Sequence, residues 1–212
     1  MKKYLAEMIG TFSLVFCGTG AIIINQESNG AITHAGIAVT FGLIVAAMIY
    51  TLGDISGAHL NPAVTLAFWV VKIFPTNEIF PYLLSQTSGA IIASTTLHLL
   101  FPNNEYLGST LPSGSPTQTF IMEIILTFIL MLTIIHVAKG SKEQGMFAGL
   151  AIGSVVLLEA MFAGPISGAS MNPIRSLGPA LISGHTEHLW IYLTAPIIGA
   201  LTAVGIWKLL KQ

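Results

Sequence analysis

The chain has 212 residues and a formal net charge of −1; hydrophobic residues make up 53% of it and charged residues 8%. A soluble domain carries about 25% charged residues, so with a mean hydropathy of +0.79 this chain cannot cover a water-facing surface. This composition excludes an ordinary cytosolic enzyme, a disordered segment and, without an excess of basic residues, a nucleic-acid-binding protein. It predicts a polytopic protein embedded in a lipid bilayer.

Six apolar stretches are long enough to cross a bilayer, which takes about 20 residues of helix. In chain order they lie near 4–25, 33–53, 79–101, 118–138, 145–164 and 187–208. Two shorter apolar pieces, 61–70 and 172–182, follow the second and fifth stretches and are too short to cross alone. The sequence therefore predicts an all-α membrane protein with six transmembrane helices and two re-entrant half-helices.

The distribution of lysine predicts the orientation of these spans. With six spans and a cytoplasmic N-terminus, every lysine falls on the cytoplasmic side: Lys2, Lys3, Lys72, Lys139, Lys142, Lys208 and Lys211. The connections at 26–32, 102–117 and 183–186 then face outward and contain no lysine. Because positive residues accumulate in cytoplasmic loops, we expect a multi-pass protein of the cell membrane with both termini in the cytoplasm.

The chain also contains an internal repeat. Three separate features recur in the second half, at offsets of 111, 116 and 110 residues. In order, they are the segment 56–63 with 167–174, Glu7 with Glu123, and Gly89 with Gly199. The repeats cover about 1–101 and 117–212 of a single transmembrane domain, 1–212. Since each repeat holds three spans, an odd number, the second is inverted relative to the first, as in many channels and transporters.

Each of the two short helices begins with an Asn-Pro pair, Asn61-Pro62 or Asn172-Pro173. Asparagine is a preferred N-cap and proline fits the first helical position, so each pair predicts the start of a half-helix. Inversion brings both N-termini to the bilayer midplane, where each carries roughly +0.5 elementary charge from aligned peptide dipoles. Two positive ends repel cations, whereas the asparagine amides and the carbonyls of the preceding non-helical backbone suit a small neutral solute, water first.

This pattern resembles the aquaporins, the major intrinsic protein family, over essentially the whole chain. The resemblance rests on Ser56–Ala63, on Ser167–Ala180, which contains Asn172–Ile174, on the two spans that contain the paired acids, and on the repeat. The segment 162–173 is similar to the nodulin-26-like intrinsic proteins, which tend to pass glycerol, urea or undissociated metalloid acids as well as water. The family implies a passive channel that excludes protons and ions, a homotetramer with one pore per subunit, and no cofactor.

The resemblance further implies an outer constriction formed by Phe41, Ala160, Ala169 and Arg175. Arg175 is the only arginine of the chain. A guanidinium within a membrane is costly and functional by default, although an ion pair with a carboxylate such as Glu187 is the other interpretation. Strongly water-selective members place histidine at the position of Ala160, so the alanines imply a wider opening. The chain lacks the long extra outer loop of glycerol facilitators.

Several polar or unusual residues keep two interpretations open. Ile174 stands where alanine is usual and is expected either to narrow the midplane or to shift the half-helix. Glu7 and Glu123 are either members of a proton relay or, as the family implies, acceptors that pin the backbone of their re-entrant loops. Glu159 pairs with a neighbouring span or with another subunit. Asp54 tunes entry at the cytoplasmic mouth or is simply solvated.

The remaining residues do not predict catalysis. Only His185 and His188 are close among the histidines, and two ligands do not make a zinc site; the single cysteine, Cys17, adds none. His59, two residues before Asn61, is expected to line the inner pore. The chain shows neither a Ser–His–Asp arrangement nor a phosphate-binding glycine loop, so we expect no enzyme activity, cofactor or metal.

Two alternatives to a water and solute channel stay open from the sequence. One is a solute facilitator with low water flux. The other is an ion-coupled secondary transporter that uses the buried acids, since inverted repeats and broken helices suit both classes.

Overall fold

The computed structural model describes residues 1–211, and within that range the chain is helical with no β-strand. In chain order the helices are α1 (Lys2–Glu27), α2 (Thr33–Ser56), α3 (Pro62–Val70), α4 (Ile79–Leu100), α5 (Pro116–Lys139), α6 (Lys142–Met146), α7 (Ala148–Ser167), α8 (Pro173–Ser183) and α9 (Leu189–Leu210). A 3-10 turn, Thr76–Glu78, precedes α4. The six long helices correspond to the predicted spans, and α3 and α8 correspond to the predicted half-helices.

Five of the long helices, α1, α2, α5, α7 and α9, are long and apolar enough to cross a membrane. The sixth, α4, has 22 residues, about 33 Å of helix, but it is richer in serine and threonine. The hydroxyls of Ser85, Thr87, Ser88 and Thr96 each donate to the carbonyl four residues earlier, at 2.7 or 2.8 Å. Because these polar groups are satisfied within the helix, α4 tolerates a membrane environment.

The fifth span begins later than the sequence predicts. The predicted stretch, 145–164, starts inside the short helix α6, and α7 follows it from Ala148. Ser141 caps α6 and forms a reciprocal capping box with Gln144. This box satisfies the first backbone donors of α6 as a separate turn. The polar connection between α5 and α7 therefore ends three residues further along the chain than its hydropathy indicates.

The helix α7 also continues through a proline. Pro165 has no N–H, so the carbonyl of Met161, four residues earlier, loses its helical partner. His34 at the start of α2 supplies the missing donor, with its Nε2 2.7 Å from that oxygen. This contact joins α2 to α7, which pack against each other along the boundary between the two halves.

The two halves pack in the same way. Helix α1 lies along α2 and α4, and α5 lies along α7 and α9. Gly89 and Gly199 allow the backbones of α1 and α4, and of α5 and α9, to approach closely, because a Cβ at either position would overlap a backbone oxygen, that of Met8 in α1 or of Ile124 in α5. Each half-helix contacts the opposite half, α3 on α9 and α8 on α4. The equivalent contacts are those expected of an inverted 3+3 arrangement.

The first residues of α1 are tied to the start of α4 through Glu78. The Oε2 atom of Glu78 accepts hydrogen bonds from the Lys3 ammonium and from the Tyr4 hydroxyl, each at 2.9 Å. The bond from Lys3, followed by that from Tyr4, holds the pKa of the Glu78 carboxyl below its ordinary value. The ion pair between Lys3 and Glu78 therefore contributes to stability only while this carboxyl is ionised.

We expect Glu78→Gln to lower the melting temperature at about pH 7 and to have less effect near pH 3, because a carboxyl with a lowered folded pKa stabilises the fold above its unfolded pKa. That contribution is lost as the pH falls through the folded pKa. Thermal melts of both proteins in detergent across this range check the expectation. Glu187→Gln, at an exposed position, is the matched control. An equal effect of Glu78→Gln on the melting temperature at both pH values would contradict the expectation.

Candidate functional site

A cavity of about 560 Å³ lies between the two halves. Its lining includes Phe41 and Asp54, which are 13 residues apart on α2, about 20 Å at 1.5 Å per residue. Asn61, Asn172 and Arg175 also line it, together with apolar side chains from α2, α3, α5 and α7. The cavity therefore extends along the helices, with the predicted asparagines and arginine in its wall.

The backbone before each half-helix adopts the same unusual conformation in the two repeats. The left-handed φ angles are Gly57 83°, Ala58 45° and Leu60 52° in the first half, and Gly168 83°, Ala169 41° and Met171 54° in the second. Non-glycine residues in this region are strained and persist only where the surroundings determine them. The two loops are thus matched non-helical segments held by other parts of the protein.

Both asparagines cap their half-helices as the sequence predicts. The Oδ1 atom of Asn61 accepts from the backbone N–H of Ala63 at 2.9 Å. The Oδ1 atom of Asn172 accepts from Ile174 at 3.0 Å and from Arg175 at 3.4 Å. Each half-helix therefore begins at the cavity wall, with its positive dipole end directed there.

The same two amides also cross-link the halves. Asn61 donates from Nδ2 to the carbonyl of Met171, and Asn172 donates from Nδ2 to the carbonyl of Leu60, each at 2.8 Å. An amide nitrogen carries two N–H groups, so each asparagine keeps one donor after this bond. Two of the predicted free carbonyls are used here, and the half-helix N-termini are held face to face.

The first half's buried acid holds the first re-entrant loop. The Glu7 carboxylate accepts from the backbone N–H of His59 at 2.9 Å and of Leu60 at 2.8 Å. It also accepts from Gln86 Nε2 at 2.8 Å. These donors fix the residues immediately before Asn61.

The second half's buried acid holds the second loop through equivalent residues. The Glu123 carboxylate accepts from the backbone N–H of Ser170 at 2.9 Å and of Met171 at 2.8 Å. The Ser167 hydroxyl donates to it at 2.7 Å. Both carboxylates are fully buried and their oxygens are engaged by fixed donors, so a proton relay would have to break these bonds.

Arg175 is 2% exposed and lies beside the Phe41 ring. Its guanidinium carbon is 5.0 Å from the ring centroid, within the range of a cation–π contact. Its Nη1 donates to the carbonyl of Gly108 at 2.9 Å, while its Nε has no hydrogen-bond partner within residues 1–211. No ion pair joins it to Glu187 in that range, so this alternative interpretation is wrong.

The other predicted positions are distributed unevenly. Ala169 lines the cavity together with Phe41 and Arg175, whereas Ala160 is buried on α7 one turn beyond the lining residue Val156. Ile174 belongs to the apolar core and is not part of the cavity wall. Its bulk does not prevent Asn172 from capping the half-helix, since the backbone N–H of Ile174 donates to Asn172 Oδ1.

The buried acid of α7 differs from the other two. Glu159 is 0% exposed, and neither of its carboxylate oxygens has a hydrogen-bond partner within the described chain. Both pairings predicted for it, with a neighbouring span and with another subunit, are therefore wrong. A fully buried side chain cannot reach a second copy. Asp54, by contrast, lines the cavity together with Lys142.

His59 lines the cavity, as the sequence predicts. Its ring centroid lies 4.9 Å from that of Phe68, 4.8 Å from that of Phe74 and 5.1 Å from that of Tyr82. Its Nδ1 is 3.1 Å from the Thr65 hydroxyl. The aromatic cluster holds the ring in one place at the inner side of Asn61.

Sequence reasoning missed several groups that support the loops. The Tyr82 hydroxyl donates to the carbonyl of Ser56 at 2.8 Å, and the Tyr192 hydroxyl donates to that of Ser167 at 2.7 Å. The two tyrosines are 110 residues apart, the offset of the repeat, so this signal was present in the chain. Gly108, the acceptor for Arg175, has no such signal because it lies in a connection that does not recur.

Comparison with known proteins identifies the family. The sequence pattern described as Major intrinsic protein matches residues 1–207. The chain belongs to the major intrinsic protein family.

The relatives to which this chain is similar belong to the group that its sequence motifs resemble. The chain is 47% identical to Aquaporin NIP1-1 of Zea mays, across 100% of this chain and 75% of the relative. It is 43% identical to Nodulin-26 of Glycine max, across 100% of this chain and 78% of the relative. Among solved structures, the aquaglyceroporin from Plasmodium falciparum matches with a TM-score of 0.87 at 26% identity, covering 98% and 95% of the two chains. The aquaporin-like fold with six spans and two half-helices is thereby confirmed.

Proposed function

We propose that this major intrinsic protein is a passive channel for water and small uncharged solutes. The observation that carries the proposal is the reciprocal pair of bonds from Asn61 to Met171 and from Asn172 to Leu60. These bonds hold two half-helix N-termini against each other at the wall of the cavity. Relatives named as aquaporins and a fold neighbour named as an aquaglyceroporin support the same class.

The midplane is suited to water and unsuited to cations. Each half-helix N-terminus presents about half a positive charge, so two of them raise the energy of any cation between them. The remaining N–H of Asn61 and of Asn172 donates to the oxygen of a passing molecule. A water so oriented accepts from the protein and cannot pass a proton along an unbroken wire, which supports proton exclusion.

The outer constriction sets the solute class. We infer that Phe41, Ala160, Ala169 and Arg175 form it, with Arg175 as the charge barrier and hydrogen-bond donor. The guanidinium of Arg175, a residue of the cavity wall, is the donor for a solute hydroxyl or carbonyl. Two alanines in place of larger polar groups leave room for glycerol, urea or a neutral metalloid acid.

The loop-supporting acids favour a channel over an ion-coupled transporter. We infer that Glu7 and Glu123 serve as fixed acceptors for the two loops. A coupling carboxylate must bind and release its ion during each cycle, whereas the oxygens of these acids already accept backbone and side-chain bonds.

The proposed channel function also implies an orientation of the chain in the membrane and an assembly of subunits. We infer one domain of two inverted repeats, both termini in the cytoplasm of the cell, and a homotetramer in the cell membrane. The lysine distribution supports the orientation. Exposed apolar side chains on α2 and α7, among them Leu43 and Phe162, supply surface for lipid or for neighbouring subunits.

Purified protein in liposomes tests the proposal. After rapid mixing with an impermeant osmolyte, we expect shrinkage faster than that of empty liposomes and with a low activation energy. After mixing with glycerol, we expect faster reswelling than in empty liposomes. Reswelling without fast shrinkage would favour a solute facilitator, and solute uptake that saturates and follows a proton gradient would favour the transporter.

A further inference from the structure

Gly18 lies on α1, buried against the ring of Phe41. A Cβ added at this position would lie 2.6 Å from Cδ1 and 2.5 Å from Cζ of Phe41, and closer still to Cε1. Side-chain carbons do not approach one another this closely, because dispersion contacts have their optimum at about 3.5–4.0 Å. The Phe41 ring therefore occupies space that exists only because residue 18 has no side chain.

The ring of Phe41 is also part of the cavity wall. It is 8% exposed and lies 5.0 Å from the Arg175 guanidinium. Gly18 bounds the ring on the side of α1, and the cavity and Arg175 bound it on others. A displacement away from α1 consequently moves the ring toward the cavity or toward Arg175.

We propose that Gly18 is a positioning residue for solute selectivity, one that widens the outer constriction by letting the Phe41 ring pack directly on α1. The inference rests on the proposed channel function. Gly18 touches no solute itself; it acts through Phe41. The chemical consequence is that the channel admits uncharged solutes wider than water, such as glycerol.

The test compares Gly18→Ala with wild type in liposomes, measuring water and glycerol flux in the same preparation. We expect the ratio of glycerol to water permeability to fall by about tenfold, the discrimination that one methylene gives in a fitted pocket. The matched control is Gly20→Ala. Gly20 is buried on the same helix, but its added Cβ would meet only Leu97 at 3.4 Å, an ordinary contact, so both fluxes should stay unchanged.

A rescue variant separates positioning from damage to the fold. Phe41→Leu added to Gly18→Ala shortens the side chain that the new methyl displaces, so the permeability ratio should return to that of Phe41→Leu alone. Two results would overturn the inference. One is a proportional loss of water and glycerol flux in Gly18→Ala, and the other is a glycerol-to-water permeability ratio in the double variant that differs from that of Phe41→Leu alone.

The wild-type measurement keeps the two proposals distinguishable. If wild type conducts neither water nor glycerol, the channel proposal itself fails. If wild type conducts both and Gly18→Ala leaves their ratio unchanged, only the inference about Gly18 fails. Wild type that passes water but no glycerol would also overturn the inference, because the constriction would not be open to wider solutes.

Discussion

Glu123→Ala is expected to abolish water flux and to lower the melting temperature strongly. The substitution leaves the backbone N–H groups of Ser170 and Met171 and the hydroxyl of Ser167 without their acceptor. Each buried donor left unsatisfied costs about 1–3 kcal/mol. Since Met171 carries the carbonyl that accepts from Asn61, release of this loop also separates the two half-helix N-termini.

The measurement is stopped-flow light scattering of liposomes together with a thermal melt in detergent. Glu187→Ala, at an exposed position, is the control and should leave flux and melting unchanged. Glu123→Gln should lie between wild type and Glu123→Ala, because an amide keeps one acceptor oxygen but turns an N–H₂ toward backbone donors. Normal flux in Glu123→Ala would show that other contacts hold the loop. Loss of only proton-dependent solute uptake in Glu123→Gln would favour the transporter.

Ala160→His is expected to cut glycerol flux while sparing water. Ala160 lies one turn beyond Val156, a cavity-lining residue on α7, and in the proposed constriction an imidazole at this position faces Phe41 and Arg175. The ring narrows the opening and adds a polar partner that water can use. A loss of about tenfold or more in glycerol flux corresponds to about 1.4 kcal/mol or more in the barrier.

The same two liposome assays measure this effect. Phe162→Leu is the control, since residue 162 is on the same helix but 55% exposed on its outer side and leucine keeps that surface apolar; both of its fluxes should equal those of wild type. An equal loss of water and glycerol flux in Ala160→His would contradict the expectation, because a general blockage or misfolding would then explain it better than a narrower filter.

Much of this fold could be predicted because it depends on local properties of the chain. A span needs only sufficient apolar length, and six stretches have it. Each half-helix begins where Asn61 or Asn172 caps a helix whose first residue is proline, which is a preference of those residue types themselves. The repeat added the inverted arrangement, since three spans per copy leave no other orientation.

The features of the helices that hydropathy describes less well also have local causes. The five-residue helix α6 is too short to produce a hydrophobic period, so the start of α7 was predicted too early. The serine and threonine residues of α4 lower its hydropathy, although four of their hydroxyls donate within the helix. Neither feature changes the order of the spans.

Tertiary structure alone decided which groups meet. Every residue has the same backbone carbonyl, so nothing in the sequence distinguishes Gly108 as the acceptor for Arg175 until the connection between α4 and α5 closes over α8. The effect of Ile174 could not be predicted, because its position in the helix does not show which neighbours its side chain contacts. In the structure it packs in the apolar core. The contact between Gly18 and Phe41 depends on how closely α1 and α2 approach, a distance that is set by the side chains of both helices together.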